Sequence, residues 1–161
     1  MREMVIYGVS FDMVGKQPIV LLKTTDSNLF LPIWIGHPEA AAILMKIQGT
    51  TTPRPMTHDL VVEMLDSFEA KVTRVTITEL RESTFYAQII VEFKGKEIII
   101  DSRPSDALAL AVRFESPVFV EDAVIDENGI EFEKEDFGDE AIVDEFKEFL
   151  DQVNPEDFQG G

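Results

Sequence analysis

Two short stretches hold most of the side chains in this chain that could do chemistry. Asp101-Ser102-Arg103-Pro104-Ser105-Asp106 packs two carboxylates, two hydroxyls and a guanidinium into six residues. Arg54-Pro55-Met56-Thr57-His58-Asp59 adds a second guanidinium, an imidazole, a hydroxyl and another carboxylate. A third and weaker group, Gly36-His37-Pro38-Glu39, places the other of the two histidines beside a carboxylate. Carboxylates are hard oxygen donors, and Asp101 and Asp106, five residues apart across a corner, can share a divalent cation. A guanidinium is a forked donor matched to phosphate. Histidine carries a proton near neutrality, which makes His58 the main candidate for a proton carrier.

Each stretch also has a plainer reading as the start of a helix, where the first backbone N–H groups lack partners. Thr57 can cap one helix, and Ser102 or Ser105 can accept from the first N–H groups of another. Asp59 and Asp106 are favoured in a first turn by the helix dipole. Capping leaves Arg103 and the second acid, Asp101, unexplained, and an arginine beside a helix N-terminus makes an anion site.

The elements that must position these groups follow from the apolar pattern. Val5–Phe11, Pro18–Leu22 and Leu29–Ile35 read as strands, with Asp26-Ser27-Asn28 as a turn. Gly36-His37-Pro38 breaks the third strand, and Pro38 suits the first turn of a helix through Ile47. An irregular loop over 49–55 leads to a helix over His58–Phe68, whose apolar positions are Leu60, Val61, Met64, Leu65 and Phe68. Strands over Val72–Leu80, Phe85–Phe93 and Glu97–Ile100 follow, then a helix from Pro104 to Phe114 and a short strand at Pro117–Val120. Ile142, Phe146, Phe149, Leu150 and Val153 mark one more, acidic, amphipathic helix.

A shift of 67 residues lays strand-strand-strand-helix on strand-strand-strand-helix. It matches Ile33 with Ile100, Glu39 with Asp106, Ala40 with Ala107 and Lys46 with Arg113. That points to an internal duplication joined by the Thr57 helix. Strands in hairpin-linked groups favour antiparallel pairing, so the expected class is α+β, a mainly antiparallel sheet with helices packed on it.

The 161 residues carry a net charge of −17, unevenly spread. Up to Phe114 there are 12 Lys/Arg against 14 Asp/Glu; from Glu115 onward there are 2 against 17. One domain over 1–130 and an acidic extension over 131–161 are the expected organisation. There are no cysteines, which excludes disulfides and thiolate metal sites. No apolar run is long enough to span a bilayer and the N-terminus has no signal-peptide pattern, so a cytoplasmic protein without membrane partners is expected. The sequence has no Gly-rich phosphate loop, no Gly-x-Ser-x-Gly elbow and no His-Glu-x-x-His zinc helix.

Taken together, LPIWIGHPEA (31–40), RPMTHDL (54–60), FYAQI (85–89) and IDSRPSDALALAVR (100–113) resemble the bifunctional nuclease domain family. The chain looks like a bacterial member, with the likeness covering about residues 1–130. The resemblance implies DNase and RNase activity, with DNA or RNA as partner. The roles set on the matching positions are inferred from the residue types. Asp101 and Asp106 would hold Mg²⁺ or Mn²⁺; Arg54 and Arg103 would clamp the phosphate, with Ser102 and Ser105 also in contact with substrate. His58, beside Asp59, would move the proton, and His37 and Glu39 are secondary candidates. The rival expectation is a non-catalytic oligomeric module with small-anion sites at helix N-termini. Ala40–Met45 and Ala107–Val112 are apolar all round, which suggests a subunit interface and a homo-oligomer, a dimer being the simplest.

Overall fold

A computed structural model of the chain describes residues 1–10 and 17–132. Its elements run β1 (Arg2–Ser10), β2 (Ile19–Thr24), β3 (Leu29–Trp34), α1 (His37–Ile47), α2 (Thr57–Ser67), β4 (Lys71–Arg81), β5 (Thr84–Phe93), β6 (Lys96–Ser102), α3 (Pro104–Phe114), β7 (Val118–Val120), α4 (Asp122–Asn128) and β8 (Ile130–Glu131). The strands form one sheet in the order β6-β5-β4-β7-β1-β2-β3-β8. Neighbours are antiparallel apart from the β4–β7 pair. This is the expected α+β class.

The two meanders, β1-β2-β3 and β4-β5-β6, are joined at the middle of the sheet by the three residues of β7. Each meander leads into an 11-residue helix, α1 or α3, and their first residues lie 67 positions apart. The repeated strand-strand-strand-helix order is therefore present in the fold. Two-residue turns close the second meander: Glu82-Ser83 joins β4 to β5, and Lys94-Gly95 joins β5 to β6. All four residues have positive φ, the backbone that matches the twist of a hairpin.

Side-chain alternation sorts the strands into faces. On one face Val20, Leu22, Leu31 and Ile33 join Val75, Ile77, Phe85, Ala87 and Ile89 in a single core beneath α1 and α3. On the other face of the first meander, Ile19, Leu21, Phe30, Trp34 and Phe132 form a smaller cluster. There the Phe30 ring meets Tyr7 and Phe132 edge to face.

Several expectations change. The apolar helices α1 and α3 pack on each other and on the strands of the same chain, so their apolar surroundings do not require a second subunit. Thr57 is the first helical residue of α2, and Met56 holds the capping position. Arg103, not a serine, is at the N-cap of α3. Ser102 Oγ donates to the Arg103 carbonyl at 2.9 Å, and the N-cap of α3 carries no side-chain cap hydrogen bond. Helix α4 and strand β8 lacked a sequence signal long enough to be read. The acidic helix expected around 142–153 lies outside the described residues. Among the described residues no helix is long and apolar enough to cross a membrane.

Helix α3 is anchored through Leu108, which is fully buried in the main core. Leu108→Ala should lower unfolding free energy by about 2–5 kcal/mol. Denaturant titration checks this, and a loss under ~1 kcal/mol would contradict the packing described.

Candidate functional site

The first turn of α3 follows directly from β6, because Pro104 has no N–H to lose and its fixed φ starts a helix. That corner presents Arg103 and Asp106 three residues apart on one side of the helix end. Arg103 Nε donates to Asp106 Oδ2 at 2.8 Å, and Arg103 NH2 donates to Glu39 Oε1 at 2.8 Å. Glu39 occupies the first turn of α1 as Asp106 does in α3, so the guanidinium ties the two repeated helix starts together. A Cβ on Gly36 would collide with the Glu39 carboxylate. The glycine thus leaves Glu39 room to lean toward Arg103.

Helix α2 supplies the imidazole. His58 Nε2 lies 2.9 Å from Asp106 Oδ1, and the His58 side chain is only 12% exposed. A carboxylate only accepts, so a neutral His58 carries its hydrogen on Nε2 and keeps the Nδ1 lone pair. Each oxygen of Asp106 therefore has its own donor. Burial acts to raise the Asp106 pKa, but donation from Arg103 and then from His58 outweighs it and holds the carboxyl below its ordinary range. Arg103 is pushed up in turn, first by Asp106 and then by Glu39.

The next residue faces another partner. Asp59 Oδ1 accepts from Arg113 Nε at 2.8 Å, and Asp59 Oδ2 accepts from the Met56 N–H at 3.1 Å. Arg113 also donates to the Ala109 carbonyl, and its side chain is 7% exposed. The Arg113 hydrogen bond is the main cause that lowers the Asp59 pKa. No residue of α2 is fully buried; Val61, Val62 and Leu65 pack partly against the core, and the two bridges to α3 add polar ties.

Two hollows flank the bridges. One, of about 410 Å³, is lined by Thr84, Phe85, Tyr86 and the β6–α3 corner with Asp101, Ser102, Arg103 and Asp106. The other, of about 540 Å³, lies among the end of α1, the loop from Gly49 to Met56, and the Asp59, Glu63 and Arg113 side chains. The structure thus brings His58, Asp106, Arg103 and Glu39 into one hydrogen-bonded set, of which Arg103 and Asp106 line the hollow together with Asp101 and Ser102. Arg54 and Asp59 line the other hollow, and the carboxylate against His58 is Asp106. Ser105 is fully buried, and His37 opens α1 at an exposed position. Arg113 and Tyr86 were not singled out from sequence. Arg113 is the only charged side chain in the apolar run 107–114, and Tyr86 sits inside the FYAQI motif.

Comparison with known proteins bears on what such a set is for. The bifunctional nuclease domain model matches residues 20–133. The chain belongs to the bifunctional nuclease domain family. An uncharacterized protein of Mycobacterium tuberculosis is 39% identical over 165 residues, covering 99% of each chain. Bifunctional nuclease 1 of Oryza sativa subsp. japonica is 30% identical over 122 residues, 74% of this chain and 37% of the rice protein. Bifunctional nuclease 1 of Arabidopsis thaliana is 29% identical over 107 residues, 64% of this chain and 33% of that protein. The chain therefore spans about a third of the plant nucleases it matches. The family match includes α1, α2 and the β6–α3 corner, so every residue of both bridges lies inside it.

Among the described residues no three His, Asp or Glu side chains gather as a metal-holding group. Two carboxylates, Asp101 and Asp106, do line one hollow. That donor set suits a hard cation held through one or two carboxylates and water. Asp106 is meanwhile engaged by His58 and Arg103.

Asp59 and Asp106 both titrate below the ordinary carboxyl value, so the bridges stabilise the fold fully above pH ~4 and lose that contribution as pH falls through the lowered values. Asp59→Asn should therefore melt below the wild type at pH 7, and the gap should narrow as pH drops toward 3. A gap of the same size at pH 3, measured by circular dichroism melts, would contradict the Asp59–Arg113 assignment.

Proposed function

We propose that this chain hydrolyses phosphodiester bonds in DNA or RNA at the hollow around Arg103 and Asp106. The observation that carries the reading is the contact between His58 and Asp106, because it joins a base to a carboxylate that also holds the phosphate-binding guanidinium. Arg103 is about half exposed, and its NH1 makes no hydrogen bond among the described residues, so donors remain for a phosphate. His58 Nδ1 takes a proton from water as the oxygen attacks phosphorus, the bond to the leaving oxygen breaks, and that oxygen takes a proton from solvent. Asp106 stabilises the imidazolium that forms, and Arg103 stabilises the charge growing on the phosphoryl oxygens. Asp101 and Asp106 are the proposed ligands of Mg²⁺ or Mn²⁺, which when bound would polarise a phosphoryl oxygen.

The family match and the plant nucleases similar to the chain support this reading. Purified protein with labelled single strands and Mg²⁺ or Mn²⁺ tests it, beside His58→Ala and Asp106→Asn. His58→Ala should lower the rate about 10²–10⁴-fold, and a chelator should abolish cleavage that either cation restores. Equal rates in all three preparations would mean a contaminant and end the proposal.

A second reading, self-association, has its own observation. Strand β6 is an edge of the sheet, and its Ile98, Ile99 and Ile100 are exposed, Ile99 by 62%. Its pairing with β5 runs without a bulge. An exposed, flat, apolar edge invites another strand, and a second copy paired along β6 would cover it as a dimer. Light scattering should give a dimer mass for the wild type and a monomer for Ile99→Lys. A wild-type monomer would remove this reading.

A further inference from the structure

The 540 Å³ hollow lies outside the hydrolytic set and is built from different parts. Three cationic side chains line it: Lys46 from the last turn of α1, Arg54 from the loop, and Arg113 from the last turn of α3. Lys46 and Arg113 stand 67 residues apart, so the repeat that sets two carboxylates at the helix starts also sets two cations at the helix ends. A base in a last turn is favoured by the helix dipole, which would explain those two but not Arg54.

The loop presents Arg54 in a restrained way. Pro53 has a fixed φ, and Pro55 confines Arg54 itself to extended backbone. Thr52 Oγ1 donates to the Arg54 carbonyl at 2.7 Å, which ties the loop at the same residue. Thr50 and Thr51 line the hollow as further hydroxyl donors, beside Thr52, whose hydrogen is committed to that carbonyl. Against these cations stand Asp59, already committed to Arg113, and Glu63. Neither the Lys46 ammonium nor the Arg54 guanidinium makes an ion pair among the described residues. Two cations with no ion-pair partner among the described residues, beside threonine hydroxyls in an open hollow, suit a phosphate better than they suit the fold.

Only one peptide bond separates the two sites on α2. His58 turns to Asp106 and the catalytic corner, whereas Asp59 turns to Arg113 and the wall of this hollow. A strand with its reacting phosphate at Arg103 has further phosphates on either side.

We propose that the Lys46–Arg54 hollow is a phosphate subsite that holds single-stranded nucleic acid beyond the reacting bond. This rests on the nuclease reading for its choice of polyanion, but its test measures binding and not cleavage. Fluorescence anisotropy of a labelled 20-nucleotide DNA strand, in chelator to stop turnover, is recorded across a salt series. Losing two phosphate contacts in a Lys46→Ala/Arg54→Ala protein should weaken binding about 10-fold at moderate salt. It should also reduce the slope of log affinity against log salt by about 1.4, at roughly 0.7 per contact on single strands. Lys46→Arg/Arg54→Lys should keep the wild-type slope. Lys94→Ala, on the β5–β6 turn and away from the hollow, should leave affinity unchanged. An unchanged slope in the double alanine protein overturns the subsite, as does a wild type that binds no strand. If the slope changes as expected while the wild type cleaves nothing, the subsite stands and the hydrolytic proposal alone fails.

Discussion

The Asp106 carboxylate is the point on which the site depends. Its two oxygens hold a guanidinium from its own helix start and an imidazole from a helix 48 residues earlier in the chain. Through Arg103 the same group reaches Glu39 on α1. One carboxylate thereby fixes three segments, and its charge is kept on by its two donors although burial opposes it. Breaking a half-buried pair of this kind costs more than the ~0–1 kcal/mol of an exposed one, because the partners left behind have lost water as well as each other.

The repeated unit explains how the site is assembled. Antiparallel meanders deliver two equal helices side by side, so their first turns meet at one end and their last turns at the other. Acids are favoured at helix starts and bases at helix ends. A pair of such helices therefore has an acidic end and a basic end before any function is imposed. What breaks the symmetry is the N-cap, where Arg103 in the second unit stands at the place of Gly36 in the first. One unit supplies the cation, and the other supplies the empty space that lets Glu39 turn toward it.

Much of this was legible in the residues, for local reasons. The order of strands and helices followed from apolar periodicity and from Pro38 and Pro104, and the helix spans differ from expectation by a residue or so. The three polar stretches were marked by composition alone. The identity of the partners was not legible, since His58 has acids close in sequence and only the packing of α2 across α3 selects Asp106. Arg113 was hidden because a base in a last helical turn looks like an ordinary answer to the dipole. The capping expectations failed because serine and threonine favour caps only on average. The parallel β4–β7 pair could not be foreseen from three apolar residues whose neighbours lie over 100 and about 40 positions away.

That short central strand has a consequence for how the chain reaches its native state. Arg2 to Met4 pair with Val118 to Val120, which lie more than 100 residues later in the chain. Each meander pairs strands that are near in sequence, but the sheet becomes continuous only when β7 slots between β1 and β4. Such distant pairing is slow because loop entropy is lost before the contacts form. On the ribosome, β1 must therefore wait with one side unpaired until nearly the last described residues have emerged.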